Sequence, residues 1–180
     1  MKSEEYFKKY IATVPGFPKE GIMFRDVTPT LENPEAFKNC IDSLAELANM
    51  YKIDKIVCAD ARGFLFGAPL AIRMGKGLVI ARKPNKLPRP GIEYSYTLEY
   101  GENTLVISEG SVKEGDRFLF VDDLLATGGS CAAMIEMIKS KGAIPVAAVF
   151  YIELPDLKGK EYIQKAANID VLSLVKYEGE

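Results

Sequence analysis

Apolar and polar positions follow two rhythms along the 180 residues. Compact apolar runs stand at 55–59, 78–81, 118–121, 144–154 and 171–175, and each reads as a buried strand. Between them, apolar residues recur at helical spacing. Phe37, Ile41, Leu44, Leu47 and Tyr51 form one stripe behind an Asn33-Pro34-Glu35 start, with Asn as cap and Pro at the first helical position. Further helical patterns run from the 60–67 loop through Met74, over 131–139 and over 156–167. The same spacing joins Tyr6, Phe7, Tyr10, Ile11 and Val14 behind Ser3, which predicts a first helix stopped by Pro15-Gly16. Residues 95–102 and 104–108 alternate about a glycine turn and predict a hairpin, approached through a Pro-rich loop at 82–91. A Gly/Pro-based loop leading to a hairpin suits a lid. Strands alternating with helices predict an α/β fold with a central, mainly parallel sheet flanked by helices.

One stretch organises the rest. Phe118-Leu119-Phe120-Val121 ends in Asp122-Asp123, crosses Leu124-Leu125-Ala126-Thr127-Gly128-Gly129-Ser130 and enters a helix. A strand feeding a helix through small residues turns several N–H groups toward one point, a geometry suited to phosphate. Glycine permits close main-chain approach, and Thr127 and Ser130 offer hydroxyls. The two aspartates would repel a phosphate, so they call for hydroxyl groups or a metal; a phosphorylated sugar supplies hydroxyls nearby. No Lys follows the glycines and no G-x-G-x-x-G stands here, which excludes the P-loop and dinucleotide patterns. An Asp-rich turn capping an ordinary helix is the plainer alternative.

A second strand–loop–helix follows residues 55–59, with Asp60-Ala61-Arg62-Gly63 in place of the acid pair. Two anion-suited turns on neighbouring parallel strands would accommodate separate phosphate groups. An arginine paired with a nearby acid is the other reading of Arg62. Beyond 78–81, Arg82, Lys83, Lys86 and Arg89 crowd a Pro-rich loop, where like charges repel unless an anion neutralises them.

The central stretch resembles the phosphoribosyl pyrophosphate motif of type I phosphoribosyltransferases, with wording close to the adenine phosphoribosyltransferases. The resemblance implies that Ala126, Thr127, Gly128, Gly129 and Ser130 hold a 5′-phosphate and that Asp122 and Asp123 face ribose hydroxyls. It implies pyrophosphate at Arg62, Arg82, Lys83, Lys86 and Tyr100. Phe17-Pro18 with Gly21-Ile22-Met23-Phe24-Arg25-Asp26 resembles the family's base-binding hood, roughly 14–30, and implies an adenine pocket from Met23, Phe24, Arg25 and Leu124. Ser95-Tyr96-Thr97-Leu98-Glu99-Tyr100-Gly101 resembles its mobile loop, roughly 88–108, with Glu99 handling the proton on an imidazole nitrogen of the purine. Relatives acting on 6-oxopurines usually carry a third aspartate where Ala126 stands, which favours adenine. Ala61 departs from the usual serine, and Ser108-Glu109-Gly110-Ser111 departs from the family wording. The implied activity converts adenine and phosphoribosyl pyrophosphate to AMP and pyrophosphate, with magnesium carried on pyrophosphate and water rather than by a protein cage, and with the chain working as a homodimer. A 6-oxopurine or xanthine enzyme would share the central loop. So would a regulator that senses phosphoribosyl pyrophosphate.

Composition narrows the alternatives. Net charge is −2, with no basic excess to argue for nucleic acid. No apolar run approaches the roughly 20 residues of a membrane span, and the charged N-terminus lacks a signal-peptide core. Cys40, Cys58 and Cys131 lack metal spacing and read as buried reduced thiols in a single-domain cytoplasmic protein. Histidine is absent, so proton transfer falls to carboxylate, Tyr, Lys or Cys.

Overall fold

The computed structural model describes residues 1–98 and 101–179. In chain order the elements are α1 (Glu4–Lys8), β1 (Ala12–Pro15), β2 (Met23–Asp26), α2 (Thr28–Glu32), α3 (Pro34–Ala48) and β3 (Lys55–Ala59). Then come α4 (Gly63–Met74), β4 (Gly77–Arg82), β5 (Gly91–Leu98), β6 (Gly101–Ser108) and β7 (Arg117–Leu125). The chain finishes with α5 (Gly129–Lys139), β8 (Ile144–Glu153), a 3-10 turn at Pro155–Leu157, α6 (Gly159–Ala166) and β9 (Asp170–Lys176).

The main sheet has the order β5-β6-β4-β3-β7-β8-β9. The five apolar runs form its parallel part, from β4 to β9, and the predicted hairpin adds antiparallel at the β4 edge. From β3 the chain moves outward to β4; from β7 it moves the other way, to β8 and β9. Strand order therefore reverses between β3 and β7. The loops leaving their carboxyl ends diverge and open a crevice, the usual ligand position in such sheets.

Each face of the sheet carries a core. Leu119 and Val121 of β7 pack with Leu44 of α3 and Phe66 and Leu70 of α4. Phe118 and Phe120 pack on the opposite side with Met134 and Ile138 of α5 and Ile163 of α6. Burial of each such side chain contributes roughly 1.5–3 kcal/mol, so β7, covered on both faces, is the firmest element available to carry a site. Past Val121 the alternation reverses: Leu124 joins the α3/α4 side and Leu125 the α5/α6 side. The acid pair sits at that break.

The first helix is shorter than its apolar spacing predicts. α1 ends at Lys8, and Ala12–Pro15 instead pairs antiparallel with Met23–Asp26. Thr13 and Val14 are β-branched, and Pro15 has no N–H to continue a helix, so pairing with β2 wins over helical periodicity. Both ends of this ribbon are tied to the core. Thr30 Oγ1 donates to the Tyr10 carbonyl at 2.8 Å, which spends its one proton and makes the buried Tyr151 hydroxyl the donor to Thr30, also at 2.8 Å. The C-terminal helix is also shorter than 156–167, because Lys158 adopts φ 54° and separates a 3-10 turn from α6. Asn33 caps α3 as expected, accepting from the Glu35 and Ala36 amides.

β3 and β7 are locked in register below the crevice. Arg117 donates from Nε and from a terminal nitrogen to the two carboxylate oxygens of Asp54, both at 2.9 Å, and its amide adds a third bond at 3.0 Å. These bonds hold the Asp54 carboxyl well below the usual carboxylate range. A depressed carboxylate adds stability above its unfolded pKa of about 3.9, and that contribution fades as pH falls through the folded value. The gap in melting temperature between the protein and Asp54→Asn should therefore be constant from neutrality to about pH 5 and shrink below about pH 4. A gap independent of pH would remove the pair from the register lock.

Candidate active site

β7 does not stop at its acids but stays paired with β8 through Leu125, opposite Glu153. Asp122 and Asp123 are thus held by strand backbone rather than by a loop. The chain then turns sharply. Gly128 adopts φ 82°, and α5 begins at Gly129 with no side-chain cap, so its first N–H groups are available to whatever the turn encloses. Residues 126–130 line a cavity of about 130 Å³ together with Asp122, Leu124, Asn103 and Tyr96.

A second glycine sets the turn's position. A Cβ on Gly128 would lie 2.7 Å from the Gly159 carbonyl oxygen and 3.2 Å from Ile163 Cγ1. A Cβ on Gly159 would collide with the Ala126 carbonyl and reach within 3.0 Å of the Gly128 nitrogen. The turn and the start of α6 touch backbone to backbone, so only glycine fits either place.

The carboxylates meet the loop after β3. Arg62 Nε lies 2.5 Å from Asp123 Oδ2, an ion pair in which Asp123 is 5% exposed and Arg62 47% exposed. The contact lacks hydrogen-bond alignment, which leaves that buried oxygen short of a proper donor. Asp122 points under the start of α4. A Cβ on Gly63 would stand 2.8 Å from Asp122 Oδ1, the same oxygen that accepts the Asp123 amide at 2.9 Å. Burial pushes the Asp122 carboxyl well above its ordinary pKa, and the adjacent Asp123 charge adds to the shift. Burial likewise raises the thiols of Cys58 and Cys131, with a further push from Asp122. All three cysteines are buried and unpaired.

Around this centre the sequence candidates fall into groups. Arg62 reaches Asp123 and also stacks over the Phe24 ring at 5.3 Å, which brings β2 to the loop after β3. Arg25 turns elsewhere: it donates to Thr13 Oγ1 at 2.5 Å and lies 3.9 Å from the centroid of the Tyr177 ring. Met23 is exposed and pairs with Pro15, and Leu124 lines the cavity. Arg82 is engaged, donating to Asp60 at 3.0 Å and to the Lys86 carbonyl at 3.3 Å. Lys83 and Lys86 are exposed on the loop beyond it. Glu99 and Tyr100 lie outside the described residues. Three residues at this centre were not singled out from the sequence: Gly63, Gly159 and Tyr96. Gly159 stands at the start of α6, and its contact with the turn is long-range.

Among the described residues, no three Cys, Asp or Glu side chains gather closely enough to hold a metal ion. No helix is long and apolar enough to cross a membrane.

A glycine turn leading into a helix N-terminus, at the point where a parallel sheet reverses its strand order, is how doubly wound α/β proteins accommodate phosphorylated ligands, and here paired carboxylates stand beside it. Within that class, the family model for the phosphoribosyl transferase domain matches residues 27–173, and the chain belongs to this family. It is 49% identical to the adenine phosphoribosyltransferase of Lactobacillus acidophilus over 173 residues, covering 96% of this chain and 97% of that protein. The crystal structure of adenine phosphoribosyltransferase from Thermoanaerobacter pseudethanolicus superposes with a TM-score of 0.92 at 44% identity, covering 97% of this chain and 100% of that one. The Saccharomyces cerevisiae enzyme, crystallised with adenine and an imino-altritol bisphosphate, superposes at 0.86 with 37% identity, covering 95% and 97%.

The wedge between turn and helix has a direct consequence. Gly159→Ala should lower stability by about 1–3 kcal/mol in urea unfolding, the usual cost of overpacking. An unchanged midpoint would show that α6 does not set the turn.

Proposed function

We propose that the protein transfers the phosphoribosyl group of phosphoribosyl pyrophosphate to adenine, giving AMP and pyrophosphate. The observation that carries this reading is the junction of β7 and α5, where paired carboxylates stand beside an uncapped helix start behind a glycine turn. A sugar phosphate is the ligand with hydroxyls for the first and an anion for the second. The relatives bearing the adenine name span nearly the whole chain, and one of them was crystallised with adenine.

In this reading the amides and hydroxyls of residues 126–130 take the 5′-phosphate, and Asp122 and Asp123 take the ribose hydroxyls. The anomeric carbon loses its bond to pyrophosphate, whose oxygen leaves with the electron pair, and gains a bond to an imidazole nitrogen of adenine. Glu99 accepts the proton that this nitrogen gives up. Positive charge develops on the ribose ring as the bond breaks, and preorganised carboxylates stabilise it. Asp122 is well suited: its burial disfavours the ion in the free protein, and a cationic ring above it reverses that preference. Arg62 exchanges Asp123 for pyrophosphate, an exchange that its half-exposed position permits. Lys83, Lys86, Arg82 and Tyr100 complete the pyrophosphate end. The hood strand β2 encloses the base through Met23, Phe24 and the Arg25 backbone, with Leu124 from the opposite side, while the Arg25 side chain stays on Thr13 and Tyr177.

Magnesium fits this site as a substrate-borne ion. Among the described residues, the carboxylates present are two adjacent aspartates turned to the ribose hydroxyls, too few for a protein cage, so pyrophosphate and water would carry the ion. When bound it would neutralise charge on the leaving group. The same reading includes a homodimer and a cytoplasmic setting, in keeping with three buried, unpaired thiols.

Nucleotide formation from phosphoribosyl pyrophosphate and magnesium, compared across adenine, hypoxanthine, guanine and orotate, tests the assignment. Adenine alone should give rapid turnover; a preference for hypoxanthine or guanine would overturn it. Glu99→Gln should reduce kcat on the order of 100-fold while phosphoribosyl pyrophosphate still binds. Comparable turnover would remove Glu99 from proton transfer.

A further inference from the structure

We infer that Tyr96 is a positioning residue for the 5′-phosphate turn, acting through Ser130, a role that rests on the phosphoribosyl reading of the site. Tyr96 lies on β5 of the hairpin, opposite Asn103. Its ring packs against the α5/α6-side core, as does Ile92 four residues earlier on the same strand face. From that anchored ring the hydroxyl reaches Ser130 Oγ at 2.9 Å. This bond spans 34 residues and joins the hairpin to the first turn of α5.

Either hydroxyl can donate in this contact, and an anion in the turn would select the direction. A serine hydroxyl has one proton and two lone pairs. When the Tyr96 hydroxyl donates, Ser130 keeps its proton free for an anion in the turn. The donated bond also polarises Ser130 and makes it a better donor. Without the phenol, Ser130 can rotate, and part of its donor capacity is lost to solvent or backbone.

The ring has a second effect. It stands in the wall of two cavities, the 130 Å³ pocket of the turn and a larger one of about 440 Å³ that includes Glu136, Tyr162 and Lys165. Tyr96 therefore partitions the phosphate pocket from a wider, more open space. Glu99 follows three residues later on the same segment. A phosphate that engages Ser130 is thereby linked, through one side chain, to the strand leading to the proposed proton acceptor.

The test is a double-mutant cycle read by calorimetry, using ribose 5-phosphate and pyrophosphate as separate probes, with KM values for both substrates. Tyr96→Phe keeps the ring and its packing, and thermal unfolding checks that the variant is folded. It should weaken ribose 5-phosphate about three- to tenfold, the range of one neutral hydrogen bond. Pyrophosphate affinity and the adenine KM should stay as in the unmodified protein. In a Ser130→Ala background the same change should have no further effect, because the phenol acts through that hydroxyl. Equal affinity in Tyr96→Phe, an additive loss in the double variant, or a parallel loss of pyrophosphate would each overturn the inference. Failure of the unmodified protein to bind ribose 5-phosphate would instead sink the phosphoribosyl reading, and the inference with it.

Discussion

Two adjacent carboxylates at the end of a buried strand repel each other, and the site is built around that constraint. Their side chains stay close enough to act on each other directly, and the structure gives each a different neighbour. Asp123 is neutralised by Arg62 from the neighbouring strand's loop, and Asp122 is pressed beneath α4 where its charged form is disfavoured. With both partners buried, breaking such a pair costs on the order of 3 kcal/mol; with Arg62 half exposed the cost is smaller. That difference matters, because a pair that is too strong could not yield to a ligand. In the proposed reaction it is Arg62 of this pair that exchanges Asp123 for the leaving group.

The fold explains why these groups meet. Arg62 and Asp123 are distant in sequence, but β3 and β7 are adjacent and parallel, so the loops at their carboxyl ends open at one level. The Asp54–Arg117 bonds set that level from below. On the far side, α6 fixes the glycine turn through backbone contact, and the hairpin leans on α5 through Tyr96 and Ser130. The ribbon of β1 and β2 closes the remaining side, with Phe24 against Arg62 and both ends tied to Tyr151 through Thr30. Each wall therefore comes from a different part of the chain, and each is bonded to something rigid.

Much of this was legible in the chain itself, and the exceptions have a common cause. The five parallel strands, the α3 start and the β7–turn–α5 unit follow from local pattern, since apolar runs, an N-cap and a glycine turn act within a few residues. The helical spacing from Tyr6 to Val14 misled, because a pairing partner at Met23–Asp26 outweighs local periodicity. Arg62 was open to two readings; the structure shows the ion pair, and that does not bar the anion from displacing it. Gly63, Gly159 and Tyr96 carried no local signal of their role. Their meaning lies in contacts with Asp122, Ala126 and Ser130 that only the folded chain brings about. The hood and the individual residue roles in the lid and at the pyrophosphate end came from resemblance to a family, whereas the lid itself and the anion-suited loops followed from local pattern and charge.

A crystal structure with phosphoribosyl pyrophosphate and magnesium tests the central claim most directly. The account predicts phosphate oxygens within hydrogen-bond distance of the amides of residues 127–130, ribose hydroxyls on Asp122 and Asp123, and Arg62 released from Asp123. A bound ligand elsewhere, with the turn unfilled and the Arg62–Asp123 pair intact, would contradict it.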